Sequence, residues 1–161
     1  MASDQNSRDQ IVAVPRAVRR PSLSLNVWRV NVLIVEDDEA DADLICRALK
    51  LHPDVGTVET RNDPDAALRE LTGGRLKPTV IFLDIHMPRL DGFAFIDRLR
   101  RIAGMRDVPV VFLTTSRLAR DVEEARRSSA CGYLVKPERF EDLKTSVHRV
   151  IRQAIAGLRR N

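Results

Sequence analysis

The sequence predicts a doubly wound α/β domain built on a five-stranded parallel sheet, and three observations carry that reading. Short β-branched apolar runs alternate five times with stretches of helical periodicity. Alternation of that kind lays parallel strands side by side through right-handed crossovers, with helices on both faces. The third observation is composition: 161 residues at 43% hydrophobic and 31% charged suffice for one domain, and only 4% aromatic means a core of Val, Ile, Leu and Ala.

Residues 1–29 read as a flexible tail, mixing Ser, Asn, Gln and Arg with Pro15 and Pro21 and showing no strand or helix period. They hold five Arg and two Asp, so most of the net charge of +4 sits there and the rest of the chain is nearly balanced. The basic stretch Arg16 to Arg20 is a candidate for nucleic acid or acidic lipid, but a solvated tail is the simpler reading, and neither partner is expected. Trp28 is expected to cover an edge of the sheet.

The domain begins at Val30. Val30 to Val35 reads as a buried strand, and residues 40–51 place Leu44, Ile45, Ala48, Leu49 and Leu51 at helical spacing. Val55 to Glu59 is a weaker strand, and Pro64 opens a helix to Leu71 at a position that suits proline. Thr79 to Leu83 is the third strand and Phe93 to Ile102 its helix. Val108 to Leu113 and Gly132 to Val135 are strands four and five, separated by a helix over 118–128. Arg139 to Leu158 forms a long final helix, so the domain spans 30–158. Cys46 and Cys131 are too few for a disulfide framework and read as packed small residues in a reducing compartment. With no apolar run near 18 residues and no leader-like start, a cytoplasmic protein off the membrane is expected.

Ligands of open parallel sheets sit beyond the carboxyl ends of the strands, so the residues just after each apolar run are the candidates. Strand one ends in Glu36-Asp37-Asp38, strand three in Asp84, strand four in Thr114-Thr115-Ser116 and strand five in Lys136-Pro137. Two carboxylates about 5 Å apart repel by roughly 3 kcal/mol at an effective dielectric of about 20. Lys136 is one charge against three, and a hard divalent cation such as Mg2+ resolves the conflict. Asp38, Glu39, Asp41 and Asp43 are explained by capping and dipole complementation of the first helix; Asp84, on another strand, is not. A carboxylate nucleophile, a hydroxyl at Thr114 and an ammonium at Lys136 are the parts of phosphoryl transfer to an aspartate.

At Val-Leu-Ile-Val-Glu-Asp-Asp (32–38), Val-Ile-Phe-Leu-Asp-Ile-His-Met-Pro-Arg-Leu-Asp-Gly (80–92), Val-Val-Phe-Leu-Thr-Thr-Ser (110–116) and Gly-Tyr-Leu-Val-Lys-Pro (132–137), the chain resembles the receiver domain of two-component response regulators. The resemblance implies strand order 2-1-3-4-5 and Asp84 as phosphoacceptor. It implies Mg2+ held by Glu36, Asp37, Asp84 and the backbone carbonyl of His86, with Thr114 and Tyr133 as a switch pair and Lys136 as the site lysine. It also implies a cis bond between Lys136 and Pro137. His86 and Ser116 fall where receivers tune their dephosphorylation, and a side-chain role for His86 is the lesser reading.

Because no second module follows the final helix, the sequence points to a stand-alone receiver. It would be phosphorylated by a histidine kinase and act on an unknown downstream protein, with no enzymatic activity beyond its own phosphorylation and dephosphorylation. The stretch after strand one is similar to regulators partnered with phytochrome-type kinases. The alternative is a relay intermediate or phosphate sink without its own output. An aspartyl-phosphate phosphohydrolase would place its Asp-x-Asp pair after strand one and need a cap, and a flavodoxin-like binder would want a phosphate-cradling loop where Glu36-Asp37-Asp38 stands. The last helix carries an apolar stripe through Ile155 and Leu158, which its length places beyond the sheet and which predicts a homodimer through this helix.

Overall fold

The computed structural model describes residues 11–12 and 29–159. Its strands are β1 (Ile11–Val12), β2 (Val30–Val35), β3 (Val55–Arg61), β4 (Val80–Leu83), β5 (Val110–Thr114) and β6 (Gly132–Val135). Its helices are α1 (Glu39–Lys50), α2 (Pro64–Thr72), α3 (Gly92–Leu99), α4 (Ala119–Arg127) and α5 (Phe140–Arg159). The sheet order is β1-β6-β5-β4-β2-β3, and β2 to β6 are mutually parallel in the order expected. The sixth strand is the difference. Ile11 and Val12, inside the stretch read as a tail, pair antiparallel with Tyr133 and Gly132 of β6; the rest of 1–28, Trp28 included, lies outside the described residues.

Period-two alternation along each strand divides the core between the two faces. Leu33, Val35, Ile81, Leu83, Val110 and Phe112 face Leu68, Phe95, Ile96 and Leu99 of α2 and α3. Val32, Ile34, Val80, Phe82, Val111 and Leu113 face Ile45 and Leu49 of α1 and Val147 and Ile151 of α5. β2 and β4 are neighbours whose chains then wind to opposite sides, so the crevice for a ligand opens at their carboxyl ends. The helices start where local chemistry lets them: Asp38, Asp63 and Asp91 each cap one by accepting from a backbone N–H of the first turn.

Two expectations need correction. Ile155 does not overhang the sheet; it is 6% exposed and belongs to the α1–α5 face of the core. α5 packs on α1 as well as on the strands, and His148 Nε2 donates to the Ala48 carbonyl at 2.8 Å. The case for a homodimer through this helix loses Ile155, and the side chain of Leu158 lies outside those described. The Lys136–Pro137 bond is trans, and no cis peptide occurs among the described residues. Cys46 packs against the core, and both cysteines are free thiols, as expected.

Ile155→Glu is therefore expected to destabilise the chain itself, by roughly 3 kcal/mol or more because it buries a charge without a partner. Urea unfolding measures this, and a midpoint equal to that of the native chain would put Ile155 on the surface.

Candidate functional site

Strand geometry alone assembles the rim. Past the last paired residues, Glu36 N–H donates to the Arg61 carbonyl at 3.0 Å, Asp84 N–H to the Val35 carbonyl at 3.0 Å and Lys136 N–H to the Thr114 carbonyl at 2.8 Å. Each functional side chain thus leaves from a backbone still held by its neighbouring strand. Carboxylate oxygens of Glu36, Asp37 and Asp84 come within 4.8 Å of one another. Glu36 and Asp84 are buried, and one oxygen of Asp84, Oδ1, is buried without a hydrogen bond.

Lys136 crosses the rim to meet this charge. Its Nζ lies 2.6 Å from Glu36 Oε2, 2.8 Å from Asp41 Oδ2 and 3.9 Å from Asp84 Oδ1. Burial works against the ammonium, but the hydrogen bonds to Asp41 and Glu36 hold its pKa above the ordinary lysine value. Glu36 shows the opposite balance: burial pushes its pKa up to about 7, and the Lys136 hydrogen bond and charge only partly offset this. One ammonium does not satisfy three carboxylates. The orphaned Asp84 oxygen beside two further acids is an all-oxygen donor set, and it fits a hard divalent cation.

Thr114 is fully buried, with its Oγ1 accepting from Ser116 N–H at 3.2 Å. Tyr133 is 2% exposed, and its hydroxyl donates to the Ser116 carbonyl at 2.8 Å. The Tyr133 ring thus sits inward, edge-on to Phe112. His86 turns its ring away from the acids: Nε2 donates to Asp121 Oδ2 on α4 at 2.7 Å, and the same oxygen accepts from Ser116 Oγ at 2.5 Å. Below the site, a Cβ on Gly92 would fall 2.5 Å from the Asp84 carbonyl oxygen, so the Asp-Gly step after the loop requires glycine.

Sequence reasoning missed two residues. Asp41 was assigned to the helix dipole but bonds Lys136, and Asp121, one turn into α4, was not singled out. Asp121 is 3% exposed. Burial favours its protonated form, yet the bonds from Ser116 and His86 hold its pKa below the ordinary value. Acids in first helical turns are so common that only packing separates these two from the rest.

The family model for the response regulator receiver domain matches residues 32–148. A probable methanogenesis regulatory protein, FilR2 of Methanothrix harundinacea, is 38% identical over 123 residues, covering 74% of this chain and 79% of that one. The DNA-binding dual master transcriptional regulator RpaA of Synechocystis is 30% identical over 123 residues; the match covers 76% of this chain but 49% of RpaA. Among solved structures, the manganese-bound form of response regulator Rcp1 is similar at 28% identity and TM-score 0.67, over 75% of this chain and 91% of that one. Chemotaxis protein CheY4 of Vibrio cholerae is similar at 29% identity and TM-score 0.65, over 76% and 98%. Among the described residues no helix is long and apolar enough to cross a membrane.

The raised Glu36 carries a pH signature in the metal-free chain. Between 4.5 and about 7 the folded chain keeps a proton that the unfolded chain has released, so stability falls as pH rises through that window. Glu36→Gln cannot lose that proton. Its stability relative to the native chain is expected to be greater at about pH 8 than at about pH 5 in urea unfolding with a chelator present. A difference independent of pH would mean an ordinary carboxyl.

Proposed function

The chain belongs to the response regulator receiver family, and we propose that it accepts a phosphoryl group from a histidine kinase on Asp84 and signals through a protein contact that depends on that phosphorylation. The observation that carries this reading is the Asp84 carboxylate itself: buried, with one oxygen unpaired, between two further acids and the Lys136 ammonium. An Asp84 oxygen attacks phosphorus as the bond to the donor nitrogen breaks, and the electron pair leaves with the donor imidazole. Positioning and charge supply most of the catalysis in such a transfer.

Glu36, Asp37 and Asp84, with the backbone carbonyl of His86, would hold Mg2+. Bound there, it offsets the carboxylate charge that would otherwise repel a phosphoryl donor. Lys136, already 3.9 Å from Asp84 Oδ1, pairs with the charge that accumulates on the acceptor. Thr114 turns its hydroxyl to a phosphoryl oxygen, releasing the N–H of Ser116 that it now accepts from. With Tyr133 already inward, phosphorylation locks an arrangement the chain can reach unaided, which is a shift of population and not a new fold. Tyr133 and α4 carry that bias to the partner.

The setting is cytoplasmic, and the similarity of the stretch after β2 to regulators of phytochrome-type kinases makes such a kinase the donor of choice. The partner is a protein. A second copy docked through α5 draws no support from Ile155, which the chain covers itself.

Acetyl phosphate with Mg2+ is expected to add 80 Da per chain, at Asp84, and a chelator to abolish the addition; intact-mass and peptide mass spectrometry read both. Asp84→Asn should remain folded and unlabelled, since it relieves charge at a crowded site. Labelling of that variant elsewhere would overturn the assignment of the acceptor. Thr114→Ala is expected to take up phosphoryl, but the amide shifts of β6 and α4 on phosphorylation should shrink to less than half those of the native chain, by NMR.

A further inference from the structure

But for β1, β6 would be an edge of the sheet, and it lies beside an apolar cavity of about 140 Å³ against α4, lined by Val122, Ala125, Arg126, Ala130 and Tyr133. A parallel sheet ending at β6 would leave that strand's outward N–H and C=O groups unpaired, a template for any extended chain. In this structure the template is filled from within. Ile11 lies opposite Tyr133 and Val12 opposite Gly132, in antiparallel register. These are also the residues that chemistry would select. Ile11-Val12-Ala13-Val14 is the β-branched run of the first 29 residues, ended by Pro15, which cannot donate to a ladder.

The reach is ample. Seventeen residues, Ala13 to Arg29, separate β1 from β2 in the sequence; an ideal flexible linker of that length has a root-mean-square span of about 20–25 Å. A segment tethered that way meets the edge at an effective concentration on the order of millimolar. At that supply an intrinsic affinity of about 1 mM is enough to fill half of the edges.

We propose that the edge of β6, with the cavity beside it, is a strand-docking site whose resident occupant is the chain's own Ile11–Val12 segment. Ile11 and Val12 then act in cis, covering the edge at Gly132 and Tyr133. Any extended partner segment that pairs with β6 must displace them first, by strand addition at a sheet edge. Tyr133 sits at the point where the two events meet: its backbone pairs with Ile11, and its hydroxyl is held by Ser116. Occupation of the edge and the state of the phosphorylation site therefore act on one residue.

The test uses the full chain and a synthetic peptide of residues 8–17, with no phosphoryl donor, so its outcome is independent of the function proposed above. The variant carries Ile11→Pro and Val12→Pro, which remove the two backbone N–H donors of β1. Hydrogen exchange at Gly132 and Tyr133 is expected to quicken at least threefold in the variant, with amides of β4 unchanged. The native peptide should bind the variant at least threefold more tightly than the native chain, shifting amide resonances of β6, and a peptide carrying the same two prolines should not bind. The proposal is overturned by equal exchange in both chains, by equal affinity of the peptide for both, by absence of binding to the variant, or by shifts confined to another face.

Discussion

Like charge concentrated at one end of the sheet is the constraint on which the rest of this structure depends. Carboxylate oxygens of Glu36, Asp37 and Asp84 crowd within 4.8 Å, and the chain sets a single ammonium against them. Such an arrangement persists only if the backbone cannot retreat. Here it cannot: each rim residue is still tied to the next strand by a ladder-like bond, Glu36 to Arg61, Asp84 to Val35 and Lys136 to Thr114. Beneath that rim, Leu33, Ile34, Ile81, Phe82 and Leu83 are almost wholly buried, and the burial of such side chains stabilises by about 1.5–3 kcal/mol each. Packing below supplies the rigidity that lets an unfavourable cluster exist above.

The strands and the rim were legible in the sequence for one physical reason. A parallel strand buried on both faces must be apolar along its length, so the first polar residue after it marks the carboxyl end, where ligands bind. Glu36, Asp84, Thr114 and Lys136 all follow from that rule. Asp41 and Asp121 do not, because an acid in the first turn of a helix favours the dipole wherever it points. β1 was illegible for a different reason. Two residues carry no period, and what recruits them is the unpaired edge of β6, 120 residues away along the chain. The reach of α5 was misjudged because sequence gives the length of a helix but not the breadth of what it packs against.

Ser116 shows how much of the site is settled by a residue with no strong sequence signature. Its N–H goes to Thr114, its carbonyl accepts from Tyr133, and its hydroxyl donates to Asp121. Thr114 and Tyr133 are thus not a bare pair but are joined through one intermediate residue, which also ties the loop after β5 to α4. Movement of the Thr114 hydroxyl would alter one of the four hydrogen bonds at Ser116, the fourth being from Leu118 N–H to its Oγ, so the loop responds as a unit.

Gly92 adds a consequence for how this site can vary. With 2.5 Å between a would-be Cβ and the Asp84 carbonyl oxygen, and 2.9 Å to the Phe112 ring, the floor under Asp84 has no room for even a methyl group. A side chain added there would push on the backbone of Asp84 itself, whereas the half-exposed His86 side chain can be exchanged without moving that backbone. Substitution is therefore tolerated unequally around this crevice, more freely above the Asp84 carboxylate than below it.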